Sequence, residues 1–149
     1  MSSNLNLLIG IAMGLNLVAL ASGRLPSLIR AAAMQGVVIG VLPLLMHSEF
    51  HWLVAAVSAG TVVVKGFVIP SLLQRALRAA HIDREMEPLI GFIPSLLLGA
   101  AASIGAIGFA GALPLRPEHA GVLLVPGAFA TVVCGFLLLM GRTKAISQV

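Results

Sequence analysis

At 149 residues, with 59% hydrophobic and 9% charged residues, the chain is far from a soluble domain, in which about a quarter of residues are charged. Its apolar runs are long enough for helices rather than barrel strands, so the composition predicts an integral membrane protein. The net charge of +4 is too small and too scattered to indicate a nucleic-acid surface. The single cysteine, Cys134, is predicted to be a small buried side chain.

Five apolar segments follow one another along the chain. They cover about 4–22, 28–46, 52–73, 89–113 and 120–141, and each has the length of a spanning helix, about 17–25 residues. The N-terminus lacks the basic region and cleavage site of a signal peptide, so we expect the first segment to remain as a span. A turn at 22–26 separates the first two segments, and Pro88 suits the first turn of the fourth. The prediction is an all-α membrane bundle of about five transmembrane helices in one domain, 1–149.

The basic residues predict the orientation of this bundle. One side would carry seven of them, in the first loop, the third loop and the tail: Arg24, Arg30, Arg75, Arg78, Arg84, Arg142 and Lys144. The other side would carry only Arg116. Because lysine and arginine are retained on the cytoplasmic side, the N-terminus is expected outside and the C-terminus inside, in the cytoplasmic (inner) membrane.

Lys65 lies in the middle of the third segment, within the stretch SAGTVVVKGFVIP at 58–70. In a helix Ser58, Thr61 and Lys65 share one face. Pro70 has no N–H to give to the carbonyl of Gly66, which leaves a backbone acceptor beside the lysine. An amine at membrane depth beside hydroxyl groups and a weakened turn indicates a proton or ion path. The alternative is a lysine that extends its side chain to the interface, about eight residues or roughly 12 Å away.

Other polar and small residues complete the pattern. Gln35 in the second segment is expected to make an interhelical hydrogen bond, and it is a further candidate for the polar path. Glycines four residues apart, Gly10/Gly14 and Gly36/Gly40, favour close approach of helices, within the chain or against neighbouring subunits. Gly99, Ser103, Gly105, Gly108 and Gly111 repeat this pattern in the fourth segment.

Two loops contain clusters of titratable residues. The sequence HSEFH at 47–51 has the ligand types of a zinc site, but its spacing matches no zinc-helix motif, so we favour ordinary polar residues at a helix boundary. The stretch 74–87 continues the third helix and then turns near 81–83. Its candidates for docking a cytoplasmic partner are Arg75, Arg78, Asp83, Arg84, Glu85 and Glu87; a solvated loop is the favoured interpretation. We find no phosphate loop, haem-type histidine pair, CxxC or Ser-His-Asp arrangement, and so we expect no cofactor, no metal and no catalytic residue.

Three stretches together resemble a known family. These are SGRLPSLIRAAAMQG at 22–36, KGFVIPSLL at 65–73 and GRTKAISQV at 141–149. They are similar to the hydrogenase-4 membrane component E family, small membrane subunits of formate hydrogenlyase-type complexes whose C-terminal part is related to the K subunit of respiratory complex I. The most specific features are the Lys65…Pro70 pattern and the basic turn at 142–147.

This resemblance implies a non-catalytic subunit in a proton-translocating membrane arm, beside antiporter-like and quinone-site-like subunits. In the family, a helix with a proton-carrying glutamate follows the basic turn, whereas this sequence ends at Val149. Either the chain is truncated, or that role lies elsewhere in the assembly. Two other functions stay open: a free-standing oligomeric transporter or channel, and a purely structural membrane scaffold.

Overall fold

The computed structural model describes residues 2–46, 51–79, 91–114 and 123–140, and these residues are helical almost throughout. In chain order the elements are α1 Ser2–Ala21, α2 Leu25–Met46, α3 Trp52–Val63, a π-helical turn Val64–Val68, α4 Ile69–Ala79, α5 Phe92–Gly111 and α6 Leu124–Met140. The described residues contain no strand. Because α3, the π-helical turn and α4 are continuous, they form one long span, Trp52–Ala79, and the structure has five helical rods in its described part.

Four of these rods are long and apolar enough to cross a membrane: α1, α2, the long span and α5. The fifth, α6, is apolar but has 17 residues. This confirms the predicted all-helical, membrane-bundle character.

The prolines show why several helices begin where they do. Pro26 is the second residue of α2, Pro94 the third of α5 and Pro126 the third of α6. The N–H groups of a first helical turn have no intrahelical acceptor, so proline loses nothing at these positions. Pro70 is different, because it lies inside the continuous long span and removes a donor that the helix would use.

The helices pack around α1, which contacts α2, α5 and α6. The long span packs chiefly against α2. Buried residues are mostly small, as in other membrane bundles, and a short apolar cluster joins Leu5 and Ile9 of α1 to Leu42 of α2. Gly127 of α6 lies against Ile9, and Gly99 of α5 lies against Leu20 and Leu17.

Several predicted boundaries need correction. The first loop is shorter than expected, because α2 begins at Leu25 rather than near 28. Arg30, which was counted with the first loop, lies within α2. Arg75 and Arg78 lie on α4, which continues six residues past the apolar segment, as predicted for the first part of the stretch 74–87. The predicted turn near 81–83, Pro88 and residues 120–122 lie outside the described residues.

Candidate functional site

The long span widens for one turn, at Val64–Val68. The N–H of Ile69 donates to the carbonyl of Val64, five residues earlier, instead of to that of Lys65. In this register the carbonyl of Lys65 would accept a hydrogen bond from the N–H of residue 70. That residue is Pro70, which has no N–H. The carbonyl that lacks its helical donor is therefore that of Lys65. With α-helical spacing, the sequence places the freed acceptor at the Gly66 carbonyl, and that stays a prediction.

The same turn contacts α2 through glycines. A Cβ added to Gly36 would lie 2.7 Å from Lys65 Cβ and 3.2 Å from the Lys65 carbonyl oxygen. A Cβ added to Gly40 would lie 2.6 Å from Cγ2 of Val62, and one added to Gly66 would lie 2.6 Å from Cγ2 of Val37. The predicted close approach at Gly36/Gly40 is confirmed, and its partner is the wide turn and the α3 turn before it.

Of the three residues predicted to share a face, Ser58 and Lys65 both lie against α2. Ser58 is buried, and its Oγ donates to the Gly40 carbonyl of α2. Thr61 is half-buried and donates to the carbonyl of Val57 in its own helix, at 2.8 Å. Lys65 is exposed on the bundle surface, although its Cβ lies against Gly36. Both hydroxyl groups thus donate to backbone carbonyls.

A polar chain crosses the bundle from α2 through α1 to α6. Gln35 Nε2 donates to Asn16 Oδ1 at 2.8 Å, and Asn16 Nδ2 donates to Thr131 Oγ1 at 2.9 Å. Thr131 Oγ1 in turn donates to the Gly127 carbonyl at 2.7 Å. Asn16 is only 5% exposed, so both functional ends of its amide are satisfied inside the protein. The interhelical hydrogen bond predicted for Gln35 is present.

Sequence reasoning missed Asn16 and Thr131. The signal was available for Asn16, an amide in the middle of the first apolar segment, where an unpaired polar group is costly. Thr131 gave less indication, because a threonine in a membrane helix commonly bonds to its own backbone, as Thr131 also does.

Gln35 and Gly36 are consecutive residues that face different neighbours. Gln35 bonds to α1, whereas Gly36 contacts the wide turn. The amide chain and the wide turn therefore meet on adjacent residues of α2, at one level of the bundle. This level brings together Lys65 on the wide turn and the linked amides of Gln35 and Asn16.

The remaining candidates are less informative. Arg75 and Arg78 are exposed on α4; Asp83, Arg84, Glu85 and Glu87 lie outside the described residues. Of the 47–51 cluster only His51 is described, and it is exposed. Within the described ranges no group of three or more side chains is placed to hold a metal ion.

No protein-family model matches this chain, and no curated protein and no solved structure shows significant similarity to it.

Proposed function

We propose that the chain is a non-catalytic membrane subunit of a hydrogenase-type, complex I-like respiratory assembly, in which it belongs to the proton- or ion-translocating arm. Its partners are antiporter-like and quinone-site-like membrane subunits. The resemblance of 22–36, 65–73 and 141–149 supports the family, and the distribution of basic residues supports an external N-terminus and a cytoplasmic C-terminus in the inner membrane.

The observation that carries this proposal is the position of Lys65. It lies on the rod with the least internal packing: 6% of the residues in the apolar window of the long span are buried, against 33% in α1. A lysine at the centre of a membrane helix costs roughly 2.5–3.5 kcal/mol on insertion scales. A neighbouring subunit or an enclosed water molecule on this face would offset that cost. It would also supply a hydrogen-bond donor for the Lys65 carbonyl.

Within such an assembly the wide turn forms one polar step. The amine exchanges a proton with a group on the partner, and the adjacent carbonyl accepts a hydrogen bond from water or from the partner. No Asp or Glu lies among the described residues, so in this proposal the acidic group that pairs with Lys65 comes from the partner.

The test is proton uptake by inverted vesicles that carry the assembled complex, normalised to its redox turnover. Lys65→Met removes the charge and is expected to lower proton uptake per turnover. Lys65→Arg keeps the charge but does not release a proton readily, so it separates a relay from a static ion pair. Ser71→Ala is the control on the same rod, because the Ser71 hydroxyl is not a candidate for the path and donates to the Val68 carbonyl of its own span.

Wild-type coupling in Lys65→Met, with normal assembly, would eliminate the relay. Lys65 would then be a residue that reaches the interface, and the chain would be a structural scaffold.

One observation favours the second candidate, a free-standing oligomeric transporter. Gly105, Gly108 and Gly111 of α5, and Gly10 and Gly14 of α1, have open space where a Cβ would lie. Open glycine faces suit helix association between copies of a chain as well as between different subunits. The two candidate functions differ in the proteins of the purified particle. The transporter would purify as copies of one chain, and the proposed subunit would purify with other proteins.

A further inference from the structure

Three arginines lie near one end of the pair formed by α2 and α4. Arg30 is on α2, and Arg75 and Arg78 are on α4, and all three are exposed. Consecutive spans run antiparallel, so the beginning of α2 and the end of α4 are at the same end of the bundle. Contacts fix the register: Gly36 lies against Lys65, and Gly40 against Val62.

The register gives the depth of each arginine. Arg30 lies six residues before Gly36, and Ser71 lies six residues after Lys65, so Arg30 and Ser71 are at about the same level. The long span has 28 residues, or roughly 42 Å at about 1.5 Å per residue, against a hydrocarbon core of roughly 30 Å. Its apolar part ends at Leu73. Arg30 is therefore near the edge of the hydrocarbon, and Arg75 and Arg78 are at the level of the lipid headgroups.

The helical positions place the three side chains on the same side of the pair. On α2, Arg30 is about 120° round the axis from Gly36, which faces the long span. On α4, Arg78 and Arg75 are about 80° and 140° round from Pro70, the buried residue of that helix. Because the helices are antiparallel, both rotations lead to one side. We define this surface, Arg30, Arg75 and Arg78, as the arginine surface.

The surroundings of the arginine surface select among anionic ligands. Leu72, at the level between Arg30 and Arg75 and about 60° round the α4 axis from Arg75, is 60% exposed, which is apolar area of the kind that acyl chains cover. Guanidinium groups bind phosphate oxygens in a planar, often bidentate arrangement. A ligand with phosphate at headgroup level and acyl chains below it matches both features, whereas an acidic segment of a soluble protein matches only the charge.

We propose that the arginine surface binds the headgroup phosphate of an anionic phospholipid in the adjacent leaflet. Leu72 contacts its acyl chains, and the guanidinium groups contact its phosphate. This proposal does not depend on the proposed function, because it holds for a subunit, a transporter or a scaffold alike.

The test uses the tagged chain purified in mild detergent together with whatever co-purifies. It is incubated with equal amounts of phosphatidylglycerol and phosphatidylcholine and washed, and the retained lipid is counted by mass spectrometry. Each arginine near a membrane surface contributes about fivefold to binding of anionic lipid. Replacement of all three by Gln is therefore expected to lower phosphatidylglycerol retention by roughly a hundredfold, with phosphatidylcholine retention unchanged.

Two further variants keep the test decisive. Arg116→Gln removes a charge from the loop at the other end of α5, and we expect it to retain phosphatidylglycerol like the wild type. The triple Arg→Lys variant keeps the charge, so it is expected to keep most of the selectivity even if the Gln variant does not fold. Wild-type protein that shows no preference for phosphatidylglycerol would overturn the proposal by itself.

Other occupants give different results. If inorganic phosphate in the wash strips phosphatidylglycerol completely, the surface binds free phosphate and not a lipid. If the triple Gln variant loses a co-purifying protein but keeps its lipid, the surface is a protein interface. If selectivity appears only when Asp83, Glu85 and Glu87 are replaced by Asn, Gln and Gln, the chain's own acids neutralise the arginines. Each of these three results contradicts the proposal.

Discussion

Replacement of Gly36 by alanine tests the contact between α2 and the wide turn. The new Cβ would be 2.7 Å from Lys65 Cβ, whereas carbon atoms in contact lie about 3.5–4.0 Å apart. The shortfall is about 1 Å. Lys65 Cβ and the nearby carbonyl are fixed to the backbone and cannot rotate away. The two helices must therefore separate, and overpacking of this kind costs roughly 1–3 kcal/mol.

Gly10→Ala is the matched control for this prediction. Its Cβ meets nothing within 4 Å, so it has only the helix-propensity gain of roughly 0.5–1 kcal/mol that both substitutions share. The difference between the two variants is then the overpacking cost alone. At about 2–4 °C per kcal/mol for a chain of this size, we expect Gly36→Ala to melt roughly 2–12 °C below Gly10→Ala.

The chain provides its own reporter for the assay. Cys134 is the single cysteine and is 0% exposed, so a thiol-reactive fluorogenic dye labels it only as the bundle opens. Heating the detergent-solubilised variants with this dye gives the melting midpoint of each. Equal midpoints for Gly36→Ala and Gly10→Ala would refute the close contact between α2 and the wide turn.

Two further predictions concern orientation and the polar chain. With Cys134 replaced by Ala, a cysteine at Ser48 should react with an impermeant reagent added outside cells and one at Ala79 should not; the reverse pattern would overturn the proposed topology. Asn16→Leu removes both interhelical hydrogen bonds of the amide, each worth about 0.6 kcal/mol in membrane bundles, and should lower stability by about 1 kcal/mol or more. Asn4→Leu, at an exposed position of α1, is its control. Equal effects of the two substitutions would show that the interhelical hydrogen bonds of Asn16 do not stabilise the bundle.

The helices themselves were predictable because a membrane allows few backbone solutions. Apolar runs of spanning length must be helical, and prolines near their beginnings are compatible with a first turn. The extra residues of α4 were predictable too, because Leu73 and Leu77 are four residues apart and Arg75 and Arg78 lie on the other side of the helix. Arg30 belongs with the basic residues of the first loop by its charge, yet it lies inside the predicted segment 28–46 and inside α2, because an arginine at the edge of the hydrocarbon can stay in the helix.

The packing partners could not be predicted from spacing alone. Gly10/Gly14 and Gly36/Gly40 are the same pattern, yet only the second pair contacts another helix of the described chain. The choice depends on the shapes of both surfaces, which a periodic pattern in one helix does not contain. The wide turn could not be predicted from the sequence either. Pro70 indicates a missing N–H donor, but whether the backbone bends or widens there depends on how Lys65 and Gly66 pack against α2.

The central claim is that the chain is one subunit of a larger membrane assembly. The protein composition of the purified particle tests this claim most directly. The tagged chain is extracted from its native membrane in gentle detergent, and the mass of the intact particle and the identity of its proteins are measured by mass spectrometry. We expect a particle much heavier than this chain that contains antiporter-like membrane proteins and a hydrogenase-like subunit. A stable, monodisperse particle made only of copies of this chain would contradict the central claim.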